Sequence, residues 1–250
     1  MYSQLILGIM LPFLGTVIGA GAVLFVKRKT GRGGRRLIEG FSAGVMVAAS
    51  IWSLLIPSME LAKGRGVPAA VPAAVGFLLG IVFFLCCDRM IFSRTSDILG
   101  EGGVAALAVA IHNLPEGMAV GAIYAEILCG AGTATLSAAL ALSIGITVQN
   151  IPEGAIISMP LYASGKGKLR SFMLGALSGA VEPIGAVLTI LAAGIAVPIL
   201  PYLLGFAAGA MMYAVLEEFT EKGEGDMTPV WILSFSAGFL LMMSLDVLLS

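Results

Sequence analysis

Hydrophobic residues fall into long continuous runs separated by short polar segments, and this pattern predicts a bundle of membrane-spanning helices. A span needs about 20 apolar residues. Eight runs of this kind occur along the chain, at residues 4–26, 37–60, 68–92, 103–127, 134–162, 171–196, 201–220 and 229–249. A membrane β-barrel would instead show short segments of alternating apolar and polar residues. The pattern therefore predicts an all-α integral membrane protein, a bundle of eight transmembrane helices.

Composition supports this class of protein. The 250-residue chain is 58% hydrophobic and only 12% charged, whereas a soluble domain is about 25% charged, and its mean hydropathy is +1.01. The first run lacks the basic segment of a signal peptide, so it is predicted to be the first span. No segment between the runs is long enough to fold alone, which predicts a single transmembrane domain over residues 1–250.

Basic residues predict the orientation of the chain, because loops rich in lysine and arginine translocate poorly. With the N-terminus outside, 12 of the 14 basic residues fall in inner loops. Six lie in KRKTGRGGRR between the first two spans, and the others are Arg89, Arg94, Lys166, Lys168, Arg170 and Lys222. An even number of spans then places both termini outside. The net charge of −1 gives no reason to expect a nucleic acid partner.

Glycine recurs at four-residue spacing in six of the predicted spans. The pairs are Gly15/Gly19, Gly40/Gly44, Gly76/Gly80, Gly117/Gly121, Gly175/Gly179 and Gly205/Gly209. Small residues one turn apart let helix backbones approach closely. A tightly packed bundle is therefore predicted.

The polar sequence HNLPEG at residues 112–117 returns as QNIPEG at residues 149–154, and each copy lies inside an apolar run. Glu116 and Glu153 therefore fall in the middle of spans four and five, and Glu182 falls in span six. Spans four to seven contain no lysine or arginine. A charge at the bilayer centre costs at least about 2.5–3.5 kcal/mol, so these carboxyl groups need a proton or a bound cation.

Helical geometry gathers the polar residues of each motif on one face. Each residue advances by about 100°, so His112 lies about 40° to one side of Glu116 and Asn113 about 60° to the other. Span five repeats the arrangement with Gln149, Asn150 and Glu153. If the two faces meet, two carboxylates lie at the centre with an imidazole and three amides around them. This arrangement predicts a cage for one or two divalent cations.

Prolines next to these glutamates add to the prediction. Pro115 and Pro152 lack an N–H and clash with the carbonyl group four residues earlier. They free the carbonyls of Ile111 and Val148 and predict broken helices, which are typical of ion sites in transporters. Glu182 in VEP also precedes a proline and can supply a further oxygen. The alternative is that the prolines only bend packed helices and that the acids are protonated and hydrogen-bonded.

The motifs HNLPEG, QNIPEG and VEP on three consecutive spans resemble those of the ZIP family of divalent metal transporters, particularly its bacterial members with a bridged two-metal centre. The resemblance covers essentially the whole chain. It implies eight spans with both termini outside, and uptake of metal into the cytoplasm across the plasma (inner) membrane without ATP. The histidine-rich loop that is common in the family between spans three and four has no counterpart here, because SRTSDILGEGG contains no histidine.

The resemblance also implies metal ligands, position by position. One metal site would consist of His112, Glu116, Gln149 and Glu153. The adjacent site would consist of Asn113, Asn150 and Glu182, with Glu116 and Glu153 as shared bridges. Family members often have a carboxylate or a histidine in place of Gln149 or Asn150. The neutral amides lower the negative charge here, which weakens the expected binding of the second ion.

Span seven, MMYAVLEEF, resembles the inner exit route of the family, where a His–Glu pair is usual. Glu217 and Glu218 stand in its place, and both cannot face one pore because successive helical residues differ by about 100°. We expect Glu218 to contact the metal, with Met211 as a soft contact and Glu217 at the membrane interface. Met46 in span two is expected to be a core residue rather than a guard of the outer entrance.

The ligand types narrow the choice of substrate. One imidazole with carboxylate and amide oxygens is a set without thiolates, which argues against Cu(I). Zn²⁺ is the expected substrate, and Cd²⁺, Fe²⁺ and Mn²⁺ are compatible with the same ligands. The expected partners are divalent metal ions and the lipid bilayer, and a homodimer is left open.

Two other classes of function also place acids inside a membrane. An intramembrane metalloenzyme needs an open metal position and a base or nucleophile, but the chain has one histidine and no HExxH motif. A proton-conducting or structural protein needs no amides beside its acids. The pattern therefore favours a transporter over an enzyme.

A cysteine placed in the KRKTGRGGRR loop should react with a membrane-impermeant thiol reagent only after the cells are opened, because six basic residues keep that loop inside. The measurement compares labelling of intact and permeabilised cells, in a chain whose Cys86, Cys87 and Cys129 are replaced by serine. Labelling in intact cells would reverse the predicted orientation, and with it the direction of transport.

Overall fold

The computed structural model describes residues 2–26, 32–64, 66–87, 93–130, 134–221 and 228–249, without the side chains of residues 32, 35, 93–105, 108, 218–221 and 249. Eleven α-helices occur in these ranges, and a π-helical turn, Ser50–Leu55, joins the second to the third. In chain order they are α1 (Tyr2–Phe25), α2 (Arg32–Ala49), α3 (Ile56–Ala62), α4 (Ala70–Cys87), α5 (Ser93–Cys129), α6 (Leu136–Ala163), α7 (Lys168–Ser178), α8 (Val181–Leu191), α9 (Ala193–Ala196), α10 (Leu200–Glu221) and α11 (Pro229–Leu249).

Seven helical segments in the described ranges are long and apolar enough to cross a membrane. They are Tyr2–Phe25, Arg36–Ala62, Ala70–Cys87, Leu136–Ala163, Lys168–Leu191, Leu200–Glu217 and Pro229–Leu248. The prediction of an all-helical membrane protein is confirmed. The predicted fourth span, residues 103–127, falls within the 37 residues of α5. The total of eight spans stays a prediction, as do the sides on which the termini lie.

Span two contains an irregularity beside a proline. The α-helix gives way at Ser50 to the π-helical turn. The Ser50 hydroxyl donates to the carbonyl oxygen of Met46 at 2.8 Å, and a serine bound to the carbonyl four residues earlier often bends a helix. Pro57 has no N–H to donate to the carbonyl of Ser53. The two features together account for the wider turn at this point.

Span six is broken immediately before Glu182. The first half, α7, ends at Ser178, and α8 begins at Val181. Pro183 has no N–H to donate to the carbonyl of Gly179, which accounts for the position of the break.

Spans four and five are not broken. The helices α5 and α6 run through Pro115 and Pro152 without interruption, so the prediction of broken helices is wrong there. Each proline removes one hydrogen bond from a long helix that is packed against several neighbours. Packing against those neighbours keeps the backbone helical despite the lost bond.

Glycines bring the helices together in close pairs. A side chain at Gly15 or Gly19 would collide with the backbone of α6, and one at Gly154 would collide with that of α1. The same reciprocal contact joins α2 to α11, α4 to α10 and α5 to α8. The glycines at these three contacts are Gly40, Gly44 and Gly238; Gly76, Gly80, Gly205 and Gly209; and Gly117, Gly121 and Gly185. The predicted close packing at the glycine pairs is confirmed.

The helix pairs form two groups. One group consists of α1, α5, α6, α7 and α8, and the other of α2, α3, α4, α10 and α11. The groups meet where α10 packs on α5 and where α2 and α11 pack on α6. Buried residues of the hydrophobic core, including Met46 and Met211, lie in these helices. Met46 is a core residue, as expected.

Gly19→Ala should lower the free energy of unfolding by about 1–3 kcal/mol, because its methyl group would overlap the backbone of Ile151 and push α1 away from α6. Gly21→Ala is the matched control, since no atom lies within 4 Å of a methyl group at that position. Thermal unfolding of the purified proteins in detergent measures the difference. Equal melting temperatures for the two variants would contradict the packing role of Gly19.

Candidate metal centre

Seven of the predicted ligands lie on three helices, of which α5 packs on both α6 and α8. None of their side chains is more than 7% exposed. They are His112, Asn113 and Glu116 on α5, Gln149, Asn150 and Glu153 on α6, and Glu182 in the first turn of α8. Gly117 makes this assembly possible, because a side chain there would overlap the backbone of Glu182.

Hydrogen bonds connect the motifs across the helices. Gln149 Nε2 donates to Glu116 Oε1 at 2.5 Å, and Asn113 Nδ2 donates to Glu182 Oε1 at 3.1 Å. The first bond joins α6 to α5, and the second joins α5 to α8. The two repeated motifs therefore face each other, with Glu182 beside them.

Three carboxyl groups share this region. Glu116 lies close enough to Glu153 and Glu182 to interact electrostatically with both, and Glu153 also interacts with Glu182. The stretches of chain that hold them, residues 95–165 and 171–221, contain no lysine or arginine. Like charges repel strongly in a medium of low dielectric constant. The three carboxylates together therefore attract a cation.

Six oxygen atoms of these side chains are buried and accept no hydrogen bond from the described part of the protein. They are Asn113 Oδ1, Glu116 Oε2, Gln149 Oε1, Asn150 Oδ1, Glu153 Oε2 and Glu182 Oε2. Buried polar atoms nearly always have a hydrogen-bond partner, because leaving one without costs about 1–3 kcal/mol. Six such oxygens in one region fit a cation, which needs acceptors that are not already engaged.

Two contacts join the cluster to the second group of helices, one through His112 and one through Met211 of that group. The imidazole ring stacks on Phe84 of α4, with ring centroids 4.4 Å apart and planes at 15°. This contact fixes the plane of the ring. Met211 of α10 is fully buried, and its sulfur lies 3.8 Å from Gln149 Nε2. The predicted soft contact therefore lies next to a predicted ligand.

Two residues of span one also reach the site, and sequence reasoning missed both. Thr16 Oγ1 donates to Glu182 Oε1 at 2.9 Å, and Asn150 Nδ2 donates to the carbonyl oxygen of Pro12 at 3.3 Å. A threonine and a proline inside an apolar run were the available signals. Nothing in the sequence marked Phe84 as a neighbour of the site, because aromatic residues are common in membrane spans.

The predicted ligands do not converge on one point. Among the described residues, no three His, Cys, Asp or Glu side chains are arranged to hold a metal ion together. The carboxylates repel one another, and the Gln149 amide turns its nitrogen, not its oxygen, towards Glu116. The Glu218 side chain lies outside the described residues, so its role stays a prediction. Glu217 is half-buried and makes interactions of its own.

Comparisons with known proteins agree on one family. A family model described as ZIP zinc transporter matches residues 101–221, which contain both repeated motifs and Glu182. Zinc transporter ZIP11 of Xenopus tropicalis is 32% identical, over 98% of this chain and 96% of its own length. Zinc transporter GufA of Myxococcus xanthus is 35% identical, over 93% and 94% of the two chains. Zinc transporter ZIPB of Bordetella bronchiseptica is 33% identical, over 96% and 80%.

Proposed function

Because the chain belongs to the ZIP family of zinc transporters, we propose that it carries divalent metal ions, chiefly Zn²⁺, through a two-ion site on α5, α6 and α8. The observation that carries the proposal is the set of six buried oxygens that accept no hydrogen bond from the residues the structure describes. The carboxylates, which lie in stretches of sequence without lysine or arginine, supply the negative charge that a divalent ion needs. A metalloenzyme is not favoured, since the relatives are named as transporters.

The ligands divide into two sets that share two bridges. The first ion is bound by His112, Glu116, Gln149 and Glu153, and the second by Asn113, Asn150, Glu182 and the same two bridging glutamates. Contacts within each set support the division, because Gln149 bonds Glu116 and Asn113 bonds Glu182. Repulsion between the carboxylates supports the bridging role, since a cation placed between them replaces repulsion with attraction.

Binding the first ion requires the Gln149 amide to turn over. In the described structure its nitrogen donates to Glu116, while Gln149 Oε1 accepts no hydrogen bond from the described residues. A half-turn of the amide directs that oxygen towards the ion and releases Glu116 Oε1 as a further ligand atom. The attraction between the ion and the carboxylates offsets the lost hydrogen bond.

The ligand set accepts several metals. Oxygen ligands with one imidazole suit Zn²⁺, Cd²⁺, Fe²⁺ and Mn²⁺ better than Cu(I). Zn²⁺ is favoured because it binds such ligands more strongly than Fe²⁺ or Mn²⁺, and because the relatives are named as zinc transporters. Neutral Gln149 and Asn150 lower the negative charge of the centre below that of a centre with carboxylates at these positions, which weakens binding of the second ion.

The direction of transport is from outside to the cytoplasm across the plasma (inner) membrane. Eight spans with both termini outside place 12 of the 14 basic residues in inner loops. Span seven then ends on the inner side. Glu218 follows Met211 by seven residues, which is about two helical turns, so both lie on one face of α10. Met211 beside Gln149 begins an exit route that Glu218 continues.

Glu116→Ala and Glu153→Ala should each abolish saturable uptake of Zn²⁺ or Cd²⁺, because each removes a charge that both ions share. Glu126→Gln is the matched control. Glu126 is an equally buried acid on the same helix as Glu116, and one of its oxygens accepts from the Ala134 N–H at 3.4 Å, which glutamine can also do. Uptake into proteoliposomes is measured for all three, with inserted protein quantified. Wild-type uptake by either alanine variant would end the proposal.

Glu182→Gln should bind one ion instead of two and still transport, because Glu182 serves only the second ion. His112→Ala should instead lower the affinity for the first ion, because it removes the one imidazole ligand. Metal content of the purified variants and initial rates of uptake test both statements. If Glu182→Gln binds two ions, or if it is as inactive as Glu116→Ala, the division into two sites is wrong.

A further inference from the structure

Span one makes two polar contacts with the ligands assigned to the second ion. The Thr16 hydroxyl donates to Glu182 Oε1 at 2.9 Å, and the Asn150 amide donates to the Pro12 carbonyl at 3.3 Å. Thr16 is fully buried, and so is Asn150. Both hydrogen bonds are therefore shielded from water, which could otherwise replace them.

The orientation of the Thr16 hydroxyl departs from that of other threonines in this bundle. A helical threonine commonly bonds the carbonyl four residues earlier, as Thr147 does to Ser143 at 2.6 Å and Thr189 does to Gly185 at 2.8 Å. The equivalent carbonyl for Thr16 belongs to Pro12, and the Asn150 amide donates to it. Thr16 instead directs its hydroxyl out of its own helix, towards Glu182.

Close packing keeps Thr16 in this position. A Cβ atom at Gly179 would lie 2.7 Å from both Thr16 Cβ and Thr16 Oγ1, and 2.9 Å from Glu182 Oε1. Only glycine leaves room for the threonine and the carboxylate side by side. Gly179 is also the residue at which span six breaks, so the break and the contact with span one coincide.

The two contacts leave ligand atoms available on the opposite side. Glu182 Oε1 accepts from both Thr16 and Asn113, whereas Glu182 Oε2 accepts no bond from the described residues. Asn150 gives its nitrogen to Pro12, so its oxygen, which also accepts no such bond, points away from span one. Span one thus holds both side chains by the atoms that a cation does not use.

We propose that Thr16 is a positioning residue for the second metal ion, and that span one is thereby part of the metal-binding apparatus. The inference rests on the two-ion site proposed above. Thr16 does not touch the ion; it fixes the carboxylate of Glu182 so that Oε2 faces the ion. Without the hydroxyl, Glu182 gains freedom to rotate, and binding must overcome that added conformational entropy together with the lost hydrogen bond.

The test compares three variants of the full-length protein. Thr16→Val keeps the shape and removes the hydroxyl, and Thr16→Ser keeps the hydroxyl. Thr189→Val is the matched control, because it removes another buried hydroxyl, which donates to a backbone carbonyl on the helix of Glu182. Calorimetric titration with Cd²⁺ and metal content after gel filtration give the affinity and stoichiometry of each ion. Thermal unfolding without metal reports whether each variant is folded.

Thr16→Val should lower the affinity for the second ion at least about tenfold, which is the size of effect expected for a hydrogen bond to a charged group. The first ion should keep its affinity to within about threefold. Thr16→Ser and Thr189→Val should both bind two ions with affinities close to those of the wild type. If Thr16→Val does not fold, Thr16→Ala replaces it, since a smaller side chain cannot clash.

Three results would overturn the inference. The first is wild-type affinity for the second ion in the variant without a hydroxyl. The second is equal weakening by Thr16→Ser, which would assign the effect to packing. The third is an equal loss of affinity for both ions, which would indicate that the bundle as a whole packs less tightly. Failure of the two-ion site itself is distinguishable, because the wild type would then bind a single ion or Glu182→Gln would still bind two.

Discussion

Three carboxyl groups buried among apolar helices determine the other features of the site, and the stretches of chain that hold them, residues 95–165 and 171–221, contain no lysine or arginine. Glu116, Glu153 and Glu182 repel one another in a medium that screens charge poorly. Amide groups from the two repeated motifs and the hydroxyl of Thr16 donate to Glu116 and Glu182 without adding positive charge. The remaining negative charge would be costly in a permanent core, and it fits the proposal that the transported ion compensates it.

Glycine makes this concentration of polar groups possible. The backbones of α5 and α8 approach closely at Gly117, and α1 reaches the break in span six at Gly179. A bundle with ordinary side chains at these positions would hold its helices further apart, and the amides would not reach the carboxylates. Small residues thus serve the chemistry of the site as well as the packing of the bundle.

The site lies where the two groups of helices meet, and its ligands are supported from different sides. His112 and Gln149 contact Phe84 and Met211 in the second group. Glu182 and Asn150, by contrast, are held by span one within their own group. A displacement of one group against the other would break the contacts of the first set and leave those of the second. In the proposed two-ion site, such a displacement would disturb the ligands of the first ion more than those of the second.

The sequence by itself determined the helical membrane fold, most of the span boundaries and the faces that carry the polar motifs. These properties follow from hydropathy and from the period of the helix, which are local and need no knowledge of neighbours. The hydrogen bond that Gln149 donates to Glu116 fits the expected meeting of the two faces.

Tertiary structure decided which helices pair, and therefore which residues outside the motifs reach them. Thr16 and Phe84 lie far from the motifs along the chain, and only the packing of α1 and α4 places them at the ligands. Packing also decided the effect of the prolines, because α5 and α6 stay continuous at Pro115 and Pro152, whereas span six breaks ahead of Pro183. A proline has the same local effect at each position, and the surrounding helices determine whether the backbone yields.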